Sequence, residues 1–69
     1  MNERLQRLID EMVEKGIRFV EANREFERRF ISRVLTDSDG NLSKAAEVLG
    51  IHRNTLSRKM AEHRIKRRP

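Results

Sequence analysis

Apolar residues recur along this chain with a helical period in each segment that carries them. Between Asn2 and Lys15, the residues Leu5, Leu8, Ile9, Met12 and Val13 fall on one face. Glu3, Arg4, Arg7, Asp10, Glu11, Glu14 and Lys15 make up the other. Asn2 is a suitable cap for this first helix. Gly16 and Ile17 follow it and suit a left-handed ending in which Ile17 returns to Met12. A second helix is expected from about Arg18 to Thr36. Phe19, Ala22, Phe26 and Phe30 form a narrow stripe in its first half, and Ile31, Val34 and Leu35 widen the stripe in its second. A narrow stripe fits one packing neighbour and a wide one fits two. The three phenylalanines are expected to be buried.

The same half carries a second pattern. Leu5, Ile9, Met12, Gly16, Phe19, Asn23, Phe26 and Phe30 alternate by four and three, which is a heptad seam running through Gly16. One continuous helix from Asn2 to about Asp37 satisfies it, at a cost of about 1 kcal/mol for an interior glycine. We read a break at Gly16, because a small helical protomer needs its first helix to fold back. The continuous helix stays open as the alternative.

Thr36-Asp37-Ser38-Asp39-Gly40 is a turn by composition. Asp37 and Asp39 lack the further ligands of a calcium loop. Beyond the turn the pattern tightens. Leu42, Ala45, Ala46 and Leu49 stand at i, i+3, i+4 and i+7, a short helix that Asn41 or Ser43 can cap. Its two alanines permit a second helix to cross closely. Gly50 then ends it, and Ile51 can fold back under the turn. A last helix begins near Arg53, buries Leu56 and Met60, and leaves Arg53, Asn54, Thr55, Ser57, Arg58 and Lys59 outward. It continues through Ala61-Glu62-His63-Arg64, with Ile65 turning back onto the core. Helix, glycine, apolar residue and polar helix start, in that order, describe a helix-turn-helix over residues 41–65. Lys66-Arg67-Arg68-Pro69 form a basic tail.

Composition narrows the function. The chain has 69 residues and no cysteine, so it is one domain without disulfides or thiolate metal sites. A core this small contributes roughly 3–5 kcal/mol, which leaves oligomerisation as the available reinforcement. No apolar run approaches a membrane span and no secretory signal is present, so a cytoplasmic protein is expected. Net charge is +5, but it is unevenly placed. Residues 1–40 hold eight Lys/Arg and nine Asp/Glu, whereas residues 41–69 hold eight and two. Basicity confined to one half is the footprint of nucleic-acid binding. His52 and His63 have no neighbours arranged for catalysis or metal ligation. No nucleophile, phosphate loop or carboxylate pair stands out, and a chain this short has little room for a pocket. The expectation is a non-enzyme without metal, cofactor or small-molecule ligand.

Arg53 and Arg58 can each present a planar fork to the O6 and N7 atoms of guanine. Asn41, Ser43, Lys44, Thr55 and Lys59 are the candidates for contacts to the DNA backbone.

Gly40-Asn41-Leu42-Ser43-Lys44-Ala45-Ala46, with Leu49-Gly50-Ile51-His52-Arg53-Asn54-Thr55-Leu56-Ser57-Arg58-Lys59-Met60, resembles the DNA-binding module of the Fis family. That module is also the C-terminal domain of NtrC-type activators. The resemblance covers about the last half of the chain. It implies an all-α, four-helix protomer that dimerises through its two N-terminal helices, here residues 1–37, within a single domain spanning 1–69. It also implies a bacterial or archaeal source. With the heptad seam, it makes Leu5, Ile9, Met12, Phe19, Phe26 and Phe30 the expected dimer interface. It places His52, Arg53 and Arg58 at base-reading positions. His52 departs from the asparagine of the founding family member, and Ser57 stands where that member has an arginine. The expected partner is double-stranded DNA, bound by a homodimer that acts as a small transcriptional regulator or a DNA-bending nucleoid protein. Two rivals remain: an RNA- or ribosome-binding protein, and a coiled-coil interaction protein. The first lacks stacking aromatics in the basic half. The second leaves the Arg53-Asn54-Thr55 start unexplained.

Overall fold

The computed structural model describes residues 2–66. It contains α1 (Glu3–Glu14), α2 (Phe19–Asp37), α3 (Leu42–Leu49) and α4 (Arg53–His63), with no strand among the described residues. The tail residues 67–69 lie outside that range.

Local chemistry accounts for each helix start. Asn2 Oδ1 accepts from the Arg4 amide at 3.2 Å, and Asn41 Oδ1 accepts from the Lys44 amide at 3.1 Å. Of the two expected caps for α3, Asn41 is therefore the one used. α2 begins differently: the Glu21 carboxylate reaches back to the Arg18 amide at 3.1 Å. This is half of a capping box, since an arginine side chain has no acceptor to complete it.

All four helices end in one way. In each, two successive amides turn back to carbonyls five and three residues earlier, through a residue with positive φ. At α1, Gly16 donates to Val13 and Ile17 to Met12, both at 3.0 Å, with Gly16 at φ +77°. At α3, Gly50 donates to Glu47 and Ile51 to Ala46, with Gly50 at φ +72°. α4 makes the same turn without glycine, through Arg64 (φ +54°), and α2 makes it through Asp39 (φ +52°) followed by Gly40 (φ +76°). The helix therefore breaks at Gly16, and no continuous helix spans the heptad seam.

The core is the junction of α2, α3 and α4. Ile31, Val34, Leu35, Ala45, Ala46, Leu56 and Met60 are buried, and Leu42, Leu49, Ile51 and Ile65 pack against them. Leu56 is fully buried, which is worth about 1.5–3 kcal/mol for such a side chain. Ala45, also at 0 % exposure, lets α3 lie close to its neighbours. Ile51 and Ile65 reach this core because the positive-φ residues before them reverse the chain.

α1 contributes nothing to that core. Leu8, Ile9, Val13, Ile17, Phe19, Val20, Phe26 and Phe30 are all exposed in the single chain. Burial of the phenylalanines is thus corrected for the protomer: Phe19 is 79 %, Phe26 61 % and Phe30 51 % exposed. Apolar spacing marks the face of α2 that avoids water, but α1 does not fold over that face to cover it. The radius of gyration is 13.5 Å, against about 11 Å for a compact domain of this length. No helix among the described residues is long and apolar enough to cross a membrane.

Candidate nucleic-acid interface

α4 is divided into three stripes by its packing. Leu56 and Met60 are buried in the core. Thr55, Lys59 and His63, spaced by four, are half-buried beside them. Arg53, Asn54, Ser57, Arg58, Ala61 and Glu62 are exposed. With about 100° per residue, Asn54, Ser57, Arg58 and Ala61 share the centre of the outward face. Arg53 lies about 140° from Arg58 around the axis, but at the first turn, where side chains project past the helix end. Both expected arginines are accordingly outward. Asn54 shares the face of Arg58 one turn earlier, and sequence reasoning had not singled it out as a base reader.

His52 caps α4. Its Nδ1 accepts from the Asn54 amide at 3.1 Å, with φ −71° and ψ 145°. An accepting Nδ1 puts the ring proton of the neutral imidazole on Nε2, which leaves Nε2–H as a donor. Asn41, Ser43 and Lys44 are exposed at the N-terminal end of α3, whose first turn has no acidic residue. The amide dipoles there favour an anion. Thr55 is half-buried.

The ion pairs within α2 are local. On α2, Glu25 pairs with Arg28 and Arg29, and Arg33 pairs with Asp37 at 3.1 Å. Arg28 and Arg29 hold the exposed Glu25 carboxyl below its usual range. Lys44, Arg53, Arg58 and Arg64 form no ion pair among the described residues. Exposed cations without local counter-charge are what a polyanion neutralises.

Lys59 is placed otherwise. Its Nζ donates to Glu27 Oε1 at 2.7 Å, and His63 Nε2 lies 3.2 Å from the same oxygen. The His63 side chain is only 5 % exposed, and its Nδ1 is buried without a partner. Lys59, then His63, hold the Glu27 carboxyl below the ordinary carboxylate range by hydrogen bonding to it. Glu27 carries no local signal of this role in the sequence. Its partners lie 32 and 36 residues away, beyond any local charge pattern. Glu27, Glu62 and His63 also bring one ligand atom each within 4.8 Å of one another. The Lys59 ammonium on Glu27 already supplies a cation at that junction.

The family model for the Fis family of bacterial regulatory proteins matches residues 23–63. That segment runs from α2 through the whole of α4, so the chain belongs to this family. A protein of Xylella fastidiosa (strain Temecula1), named as a Fis-like DNA-binding protein, is 48 % identical over 40 residues. The match covers 58 % of this chain and 44 % of that protein's length. No solved structure gives a significant match.

Proposed function

We propose that this protein binds double-stranded DNA sequence-specifically as a homodimer, acting as a small transcriptional regulator or a DNA-bending protein of the bacterial nucleoid. The observation that carries the reading is that Arg53 and Arg58 are exposed and without ion pairs on a helix whose Leu56 and Met60 are locked into the core. Family membership supports DNA binding as the general activity. In this reading α4 enters the major groove. Arg53 and Arg58 take guanine edges, His52 offers Nε2–H at the groove floor or wall, and Asn54 joins them as a candidate adenine reader. Asn41, Ser43, Lys44 and Thr55 position the protein on phosphates. Lys59, expected among these contacts, is bound to Glu27 in the free chain.

The homodimer rests on the uncovered apolar face. A partner copy laid against Leu5, Ile9, Met12, Phe19, Phe26 and Phe30 would cover it, and exposed large apolar side chains gathered on α1 and α2 mark an interaction site. Two copies would present two reading helices to one duplex, with half-sites spaced by the helical repeat.

The test is a selection of bound sites from random duplexes, with sedimentation run in parallel. Enrichment of a two-fold symmetric motif by a dimer is the expected outcome. Equal competition by RNA and scrambled duplex would overturn the sequence-specific reading. A stable monomer at micromolar concentration would overturn the homodimer.

A further inference from the structure

We infer that Glu27 is a specificity-determining residue: its carboxylate competes with DNA phosphate for the Lys59 ammonium and so removes a sequence-blind contact from the reading helix. The inference rests on the DNA-binding reading above. Two observations carry it. Lys59 stands next to Arg58 on α4 and has its ammonium 2.7 Å from Glu27 Oε1 rather than in open solvent. Among the described residues, Lys59–Glu27 is the only lysine or arginine ion pair that joins two helices, with His63 on the same carboxylate oxygen; the others lie within α2.

The pair is placed to last. The Lys59 and Glu27 side chains are 29 % and 33 % exposed, so solvent and salt screen them less than the open pairs on α2. Behind them the His63 ring, 5 % exposed, directs Nε2 at the same oxygen and limits where the carboxylate can turn. A lysine ammonium is a point charge that binds carboxylate or phosphate without directional demand. Released from Glu27, Lys59 would reach for the backbone beside the groove. That contact would add the same affinity to every sequence, because phosphates carry no base information. Holding Lys59 on Glu27 leaves a larger share of the binding energy with the outward face of α4.

The experiment compares the full chain with Glu27→Gln, Lys59→Met and the double variant. Each is measured on a duplex selected by the parent and on its scrambled counterpart, over a salt series. Glu27→Gln is expected to tighten binding to the scrambled duplex and lower the selected-to-scrambled ratio. Its salt slope should steepen by about 0.9 per subunit, so its advantage shrinks about threefold per subunit between 50 and 200 mM salt. Lys59→Met should leave the parent slope unchanged, and the double variant should return to it. A merely structural Glu27 would instead weaken both duplexes together with no change of slope, and that result overturns the inference. If Glu27→Gln does not fold, Lys59→Met decides: a slope shallower by about 0.9 per subunit means that Lys59 already contacts phosphate. Failure of the parent to bind any duplex would sink the DNA reading itself. Normal parent binding with the wrong slope changes sinks only the role of Glu27.

Discussion

The amide of Ile17 donates to the carbonyl of Met12 at 3.0 Å, and the same reversal closes the other three helices. Each reversal needs one residue with positive φ. Glycine supplies it at Gly16 and Gly50, while Arg64 adopts it against a steric cost of about 1–2 kcal/mol for an L-residue. Opposite substitutions should therefore have opposite signs. A Cβ at Gly50 would meet nothing within 4 Å, so Gly50→Ala should lose about 1 kcal/mol through backbone strain alone. Arg64→Gly should raise stability by about 0.5–1 kcal/mol, after the added freedom of the unfolded glycine is subtracted. Thermal melts of the two variants check this, and a destabilised Arg64→Gly would show that the arginine side chain is worth more than its strain.

These endings also mark how far the sequence could be read. Gly16 and Gly50 are visible signals, and Ile17 and Ile51 after them indicate where the chain goes. Arg64 makes the same turn without that signal, so the sequence alone carries α4 on through Arg64 rather than stopping it at His63. The helical period located every apolar face. It could not say what covers each face, which is why Phe26 is in the right stripe yet exposed. Glu27 was illegible for a related reason. Within Glu25-Phe26-Glu27-Arg28-Arg29 it has the look of a surface charge, and only the packing of α2 on α4 brings Lys59 and His63 to it.

His52 holds two roles that substitution can separate. Its ring caps α4 through Nδ1, and asparagine is among the strongest capping residues. His52→Asn should keep the melting temperature at or above the parent value. His52→Ala should lose about 0.5–2 kcal/mol. If both variants melt like the parent, the Asn54 amide finds another acceptor and the cap is unimportant.

Glu27 makes stability pH-dependent with a definite sign. Lys59 and His63 lower its carboxyl in the folded chain, so the folded state binds its proton less readily than the unfolded one. The resulting stabilisation is present above the ordinary value of 4.5 and is lost as pH falls through the lower folded value. Glu25 responds in the same direction, so the parent curve alone does not isolate Glu27. The melting-temperature difference between parent and Glu27→Gln does. It should be largest near neutral pH and shrink as pH falls below 4.5. A difference that stays constant down to acid pH would place the loss in packing rather than charge.

The uncovered apolar face gives a test of the homodimer with an internal control. Phe26 is 61 % exposed beside Phe30, with ring centroids 5.4 Å apart. Val48 is similarly exposed, at 63 %, but lies on α3. Phe26→Glu should shift sedimentation toward monomer and lower the melting temperature, because the proposed interface supplements a small core. Val48→Glu should do neither. If Val48→Glu dissociates the protein and Phe26→Glu does not, copies associate through α3 and the proposed interface is misplaced.

The contact made by Arg53 depends on how α4 enters the groove. Arg58 lies with Asn54 on the outward face of α4, so a groove that accepts one accepts the other. Arg53 lies about 140° away and depends on projecting past the first turn. If α4 enters the groove end-first, Arg53 reaches a guanine edge; if it lies flat, Arg53 meets phosphate. Lys44, at the start of α3, is the proposed phosphate contact for comparison. Arg58→Ala should cost about 1–3 kcal/mol of discrimination at one base pair of each half-site. Arg53→Ala should do the same at a different base pair. Lys44→Ala should weaken all duplexes alike and make the salt slope shallower by about 0.9 per subunit. Affinities for single-substitution duplexes across a salt series separate these outcomes. Should Arg53→Ala follow the Lys44 pattern, with uniform weakening and a shallower slope, then α4 lies flat and Arg58 with Asn54 carries the base reading.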